Sequence, residues 1–301
     1  MLADATSHAV ESAANHAEHG IPLSADVLFR IGPVPVTNSM IVMWIVMFML
    51  LGFVWLATRK KALVPRGFQN FFEFLVESLF EVLEGILGTR MARRTFWFFA
   101  TIFITILTCN WIGLLPFFGN ITYKPDGAHA VPLLRAATAD LNLPLAMATV
   151  FFFLWFYWSL TEIGPWGMTK HIFGSKGGLK ADEFGFPIIV GKIILLGVSV
   201  IFVFVGLIEV VSIAFRQVSL PMRLFGNVFA GENLLHAMTS LSFFADDTLS
   251  GKVANFLVHV IVPIPFYGLE ILVGFVQALV FMLLTAVFTN LMCAHEEGEA
   301  H

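Results

Sequence analysis

The chain has 301 residues, 58% of them hydrophobic and only 13% charged, with 33 phenylalanines against three tyrosines. Soluble domains are roughly half apolar and about a quarter charged, so this composition excludes an ordinary soluble enzyme and calls for a polytopic membrane protein. A net charge of −4 without a basic block speaks against nucleic acid as a partner. Cys109 and Cys293 lie far apart in apolar runs and indicate neither a disulfide framework nor a metal centre.

In chain order, residues 1–39 read as a polar external tail. Its start, "MLADATSHAVESAANHAEHG", lacks the basic-then-apolar pattern of a cleavable signal, and His8, His16 and His19 read as solvated rather than metal-binding. A membrane domain follows over 40–293. A helix needs about 20 apolar residues to cross a bilayer. Five segments meet this: Met40–Thr58, Phe96–Leu115, Leu141–Thr161, Ile188–Ser240 and Val253–Cys293. The last two exceed one crossing and are expected to be tilted and paired as a hairpin. "GFQNFFEFLVESLFEVLEGILG", residues 67–88, is different. Its acids Glu73, Glu77, Glu81 and Glu84 recur at helical spacing on an otherwise apolar surface, which predicts an amphipathic helix in the membrane plane. The predicted fold is therefore an all-α integral membrane protein with five transmembrane helices plus one in-plane helix. Residues 294–301 form a short tail.

Charge sets the orientation. Arg59, Lys60, Lys61 and Arg66 follow the first span, Arg90, Arg93 and Arg94 precede the second, and Lys170, Lys176 and Lys180 separate the third from the fourth. If the Glu-striped helix does not cross, all of these fall on one side, which the positive-inside rule makes cytoplasmic. The other side receives Arg30, Lys124, Arg135 and Lys252. The N-terminus is then outside and the C-terminus cytoplasmic. The Gly-rich loop "IFGSKGGLKADEFG" matches no phosphate-binding pattern and reads as a connector.

Several polar groups fall inside these spans. Arg216, Ser219, Arg223 and Asn227 share one helical stripe, with Glu209 near it. Glu232, nine residues beyond Arg223, points to the opposite face, and His236 lies one turn further on that face. Pro221, between the two arginines, predicts a kink or local opening. The last span carries Tyr267, Glu270 and Gln277 on one face, with Pro263 and Pro265 at its approach. Asp140 and Asn142 sit at the outer mouth of the third span, and Glu162 at its inner end. An ionised side chain at a helix centre costs about 2.5–3.5 kcal/mol on insertion scales. Two readings offset that cost: internal ion pairs of Arg223 with Glu232 or Glu270, or an ion pathway through wet cavities. The opposite-face placement of Glu232 favours the pathway.

"SLPMRLFGNVFAGENLL" and "LEILVGFVQALVFMLLTAVFTNLMCAHEE", with "NWIGLLP" (110–116) and "TADLNLPLAMA" (138–148), strongly resemble subunit a of the rotary ATP synthase membrane sector. The likeness runs from about Met40 to the C-terminus, in the right order. It implies a stator in a bacterial inner membrane, passing protons through two offset half-channels to and from a rotating c-ring, beside peripheral-stalk b subunits and the rest of the synthase. On that likeness Arg223 faces the ring carboxylate. Asn227, Glu232, Glu270, Gln277, Asp140 and Asn142 line or support the outer half-channel, and Ser219 and Arg216 lie toward the inner one. Neither a cofactor nor a nucleotide site is implied. One departure stands out. Where some relatives carry histidine paired with a glutamate, this chain has Glu270 with Glu232, and His236 is near enough to Glu232 to substitute. The alternatives are a stand-alone secondary transporter whose Arg223 binds an anionic substrate, and a scaffold held by internal ion pairs.

Overall fold

Helices dominate because a backbone in hydrocarbon must satisfy its own hydrogen bonds. A computed structural model of the chain describes residues 25–59, 67–115, 122–123, 131–132, 134–173, 188–240 and 261–293. The N-terminal histidines, Lys176 and Lys180, Asp246 and Asp247, residues 253–260 of the last expected span, and the C-terminal tail lie outside the described residues.

In order come β1 (Val27–Ile31), β2 (Val34–Thr37), α1 (Asn38–Thr58) and α2 (Phe68–Gly113). A short pair β3 (Thr122–Tyr123) and β4 (Val131–Pro132) follows, then a 3-10 turn at Ala137–Ala139. The chain ends with α3 (Asn142–Phe173), α4 (Ile188–Ser240) and α5 (Pro263–Cys293). Five of these helices are long and apolar enough to cross a membrane.

The expected polar tail is corrected at its end, where residues 27–37 form an antiparallel hairpin. Gly32 makes the turn at φ 63°. Because Pro33 locks its own φ negative, only a turn with the positive φ at its first central residue fits, and glycine takes that place without strain. The hairpin leads directly into α1, with the Asn38 N–H donating to the Asp26 carbonyl at 3.1 Å.

α2 breaks at Gly88, with φ 74° and ψ 159°, which separates 68–87 from 89–113. Only glycine enters that region freely. Residues 89–95 are helical as well, so the second apolar helix starts earlier than Phe96. α3 also passes Thr161 and runs to Phe173 across a second break at Gly164. α4 continues through Pro221 as one helix. α5 begins at Pro263, with a proline in its first turn, where the missing N–H has no intrahelical partner to lose.

The chain divides into two compact units, one of residues 1–55, 105–141 and 224–278, the other of 56–104, 142–223 and 279–301. The first unit has its core around Val36, Val42, Val46, Ile106, Leu224 and Ala278, all buried. In the second, Phe98 stacks on Phe151 with centroids 6.3 Å apart and meets Trp158 edge-on at 5.7 Å. The Trp155 indole N–H donates to the Phe288 carbonyl at 3.3 Å. Leu79, Leu83 and Leu87 form the buried edge of 68–87, while Glu77 and Glu81 are exposed. Phe68, Phe71 and Phe74 are exposed too, so this helix shows solvent or lipid an acidic stripe and an aromatic one.

α3 and α4 approach closely within the second unit. A Cβ on Gly206 would stand 2.5 Å from Phe173 Cδ1 and 2.7 Å from the Ile172 carbonyl oxygen. Overpacking of this kind costs about 1–3 kcal/mol. Gly206→Val should therefore lower the thermal stability and membrane abundance of the subunit, measured by melting of the detergent-solubilised protein. An unchanged melt would show that the two helices separate without cost.

Candidate functional site

The intramembrane polar residues of the first unit converge on a small cavity. Asn110 of α2, Asn227 and Glu232 of α4, and Glu270 and Gln277 of α5 line it, within a volume of about 20 Å³. A single water needs roughly 10–15 Å³ by this measure, so the cavity has room for one.

Hydrogen bonds hold its walls. Asn227 Nδ2 donates to Gln277 Oε1 at 2.9 Å. The Asn110 amide bridges in two directions: Nδ2 donates to the Gly274 carbonyl at 3.1 Å, and Oδ1 accepts from Thr138 Oγ1 at 2.8 Å. Gln277 is buried, and its Nε2 has no hydrogen-bond partner among the described residues. An unmet donor in a low-dielectric setting costs about 1–3 kcal/mol. Gln277 also lines the water-sized cavity, where a bound water with polar partners could recover that cost. The buried Glu270 carboxylate packs directly against Gly231, whose missing side chain leaves it room.

Glu232 has a partner that sequence reasoning missed. Arg135 Nε lies 3.4 Å from Glu232 Oε2, and the arginine side chain is only 3% exposed. Arg135, which the charge distribution assigns to the outer side, is buried. Removing one member of a buried ion pair costs about 3–5 kcal/mol, because the other charge is left uncompensated. Its signal was present in "LLRAATADLN", where an arginine stands in a run of small and apolar residues. Nothing in that run named a partner 97 positions away.

The remaining expected residues distribute as follows. Asp140 is buried and accepts from Ser39 Oγ at 2.8 Å, so it is tied to the start of α1 rather than open at a mouth. Ser39 Oγ also lies 2.9 Å from Thr37 Oγ1. Asn142 is exposed at the first turn of α3, and His236 is exposed and does not line the cavity. In the second unit, the Arg216 guanidinium carbon sits 4.7 Å from the Phe288 ring centroid, a cation–π distance. Ser219 Oγ donates to the Arg216 carbonyl at 3.3 Å. Arg94 and Arg90 both pair with Glu162, the latter at 3.4 Å.

Arg223 is exposed on α4 and makes no ion pair among the described residues. The expected alternative of a pair with Glu232 or Glu270 is thus corrected: Glu232 is held by Arg135. The two-stripe picture also changes at Asn227. At about 100° per residue it lies roughly 40° from Arg223 and 140° from Glu232, yet its amide joins Gln277 and the acidic cavity.

This order of residues has close counterparts. The family described as ATP synthase A chain matches residues 40–290. The chain belongs to the ATP synthase A chain family. It is 30% identical over 271 residues to ATP synthase subunit a of Gloeobacter violaceus, covering 90% of this chain and 89% of that one. It is 28% identical to ATP synthase subunit a of Moorella thermoacetica, across 87% of this chain and 93% of the relative. The corresponding protein of Protochlamydia amoebophila is 30% identical over 81% of this chain and 76% of its own. The chain is accordingly a multi-pass bacterial membrane protein, a proton-conducting stator subunit that works with the rest of an ATP synthase. The stand-alone transporter alternative has no support among these relatives.

Proposed function

We propose that the cavity between Asn110, Glu232, Glu270 and Gln277 is part of the outer half-channel, and that Arg223 is the stator charge facing a carboxylate on a rotating ring of small hairpin subunits. One observation carries this reading. Two glutamates and three amides from three helices line a single water-sized space, and one of those amides, Gln277, has a buried Nε2 without a hydrogen-bond partner among the described residues. A core built for stability alone would fill that volume with apolar side chains.

Protons enter by the Asp140 and Asn142 end and are exchanged among Glu232, Glu270 and the cavity water, with Asn227 and Gln277 orienting it. His236 lies at the margin of this route. Arg223 cannot relay a proton, since guanidinium does not deprotonate in proteins. It holds the ring carboxylate while that group is ionised, and a protonated carboxylate can instead turn into lipid, because only the neutral form enters hydrocarbon cheaply. Each charge moved across 100 mV supplies about 2.3 kcal/mol, so ion flow through offset routes drives rotation one way. Arg216 and Ser219 mark the inner route. Residues 68–87 lie along the cytoplasmic surface, their Phe68, Phe71 and Phe74 face toward lipid. The N-terminus is outside the plasma membrane, and peripheral-stalk b subunits brace the stator.

Glu270→Gln tests this. In membranes stripped of the catalytic head, passive proton conductance per assembled complex should fall at least about a hundredfold, the low end of losing one proton-transfer group. Conductance equal to wild type would remove the cavity from the pathway. A tagged chain should also copurify with a ring of small two-helix subunits; purification without one would defeat the stator assignment.

A further inference from the structure

The loop that carries Arg135 has more order than an outer connector requires. Arg135, Ala136, Ala137, Thr138, Ala139 and Asp140 are all buried in succession. Three contacts fix the loop from different sides. Ala136 packs on Gly113 of α2, where an added Cβ would come within 2.5 Å of the Ala136 Cβ. Thr138 Oγ1 donates to Asn110 at 2.8 Å. Asp140 accepts from Ser39 at 2.8 Å, at the start of α1. From this anchored loop the Arg135 guanidinium reaches the Glu232 carboxylate, with Nε 3.4 Å from Oε2.

We propose that Arg135 is a positioning residue for proton transfer, and that the 135–140 loop is a clamp holding the Glu232 carboxylate at the wall of the cavity. The inference rests on the cavity being part of the proton route. Glu232 is on α4, whose neighbours across the cavity are Glu270 on α5 and the amides of Asn110 and Gln277. Without an anchor, a glutamate has three rotatable bonds and can turn its carboxylate away from a water-sized space. The buried Arg135, fixed by its anchored loop, restricts it to the orientations in which Oε2 stays near Arg135 Nε, because turning away would leave a buried charge uncompensated. The loop thus ties the geometry of one relay group to helices α1 and α2, which carry none of the expected pathway acids.

The test compares Arg135→Leu, Arg135→Lys, Glu232→Gln and the double variant Arg135→Leu/Glu232→Gln in intact membranes. Passive proton conductance is normalised to assembled complex. Arg135→Leu should lower conductance about tenfold at the abundance it reaches, a smaller loss than that of the proton-transfer group itself. Arg135→Lys should recover only part of it, since an ammonium keeps the charge but not the planar donor set. The double variant should conduct no worse than Glu232→Gln alone. Losses that multiply in the double variant would overturn the clamp, as would wild-type conductance per complex in Arg135→Leu with only its abundance reduced. If Arg135→Leu does not accumulate, Gly113→Ala, which pushes Ala136 away, and Arg135→Lys decide the matter. Wild-type conductance in both overturns the proposal, and reduced conductance at normal abundance supports it. Normal conductance in Glu232→Gln would end the cavity route itself, and this clamp with it. A defective Glu232→Gln beside a normal Arg135→Leu would end the clamp alone.

Discussion

Arg223→Ala should abolish ATP synthesis and ATP-driven proton pumping in membrane vesicles, by at least about a hundredfold, while the subunit is still made and assembled. The scale follows from losing one preorganised charge at the reacting group, which costs about 10²–10³ in rate. Assembly should survive because Arg223 is exposed and holds no ion pair among the described residues, so truncating it leaves no orphaned charge. Arg223→Lys should recover little, because an ammonium lacks the planar fork that meets a carboxylate with two donors. The readouts are vesicle acidification by a pH-sensitive dye and immunoblot abundance of the complex. Synthesis persisting above about a tenth of wild type would remove Arg223 from the coupling step. A loss of activity matched by loss of the assembled complex would make it a structural residue.

The second large effect is expected at Gly231, one residue before Glu232. A Cβ there would fall within the Glu270 carboxylate, so Gly231→Ala must drive that group out of its present place. The carboxylate is the far end of a flexible chain and can move, but it is buried and the water-sized cavity offers little alternative room. Helix propensity alone would make glycine to alanine favourable by up to about 1 kcal/mol. The variant should therefore keep or gain stability while losing proton conductance about ten- to a hundredfold. Shortening the partner should relieve it: Gly231→Ala with Glu270→Asp withdraws the carboxylate by one methylene and should recover part of the conductance. A normally conducting Gly231→Ala would show that the position of Glu270 is not critical. A double variant worse than either single would show that the two sites are independent.

Gly231 and Arg135 also mark how far the sequence could be read. The stretch "AGEN" names a glutamate in an apolar run, and the cost of burying it marks it as functional. It does not say that the glycine beside it is the seat of a second carboxylate from another helix. The pairing of Glu232 with Arg135 spans 97 residues, and that of Asn110 with Gly274 spans 164. Helical periodicity reports which residues share a face, not which faces meet, so it set Asn227 with Arg223 while its amide bonds to Gln277. The β1–β2 hairpin was missed for another reason. Two short strands, "VLFRI" and "VPVT", beside a long polar stretch give too few residues for a period to stand out, although "GP" between them was a turn signal.

Amino-acid order alone determined which segments are helices, though not all of their ends. Runs of twenty or more apolar residues have no soluble alternative, and a backbone in lipid has almost no option but helix. Gly88 ends the Glu-striped helix, and α4 spans Ile188–Ser240, because local sterics and hydropathy act within a few residues. The motif order determined the family. Only the tertiary structure decided which charges neutralise one another and where space remains: Arg135 on Glu232, Ser39 on Asp140, and a cavity left between two carboxylates. Those outcomes depend on distances between segments remote in the chain. In a low-dielectric interior a few ångströms separate a paired charge from one free to act.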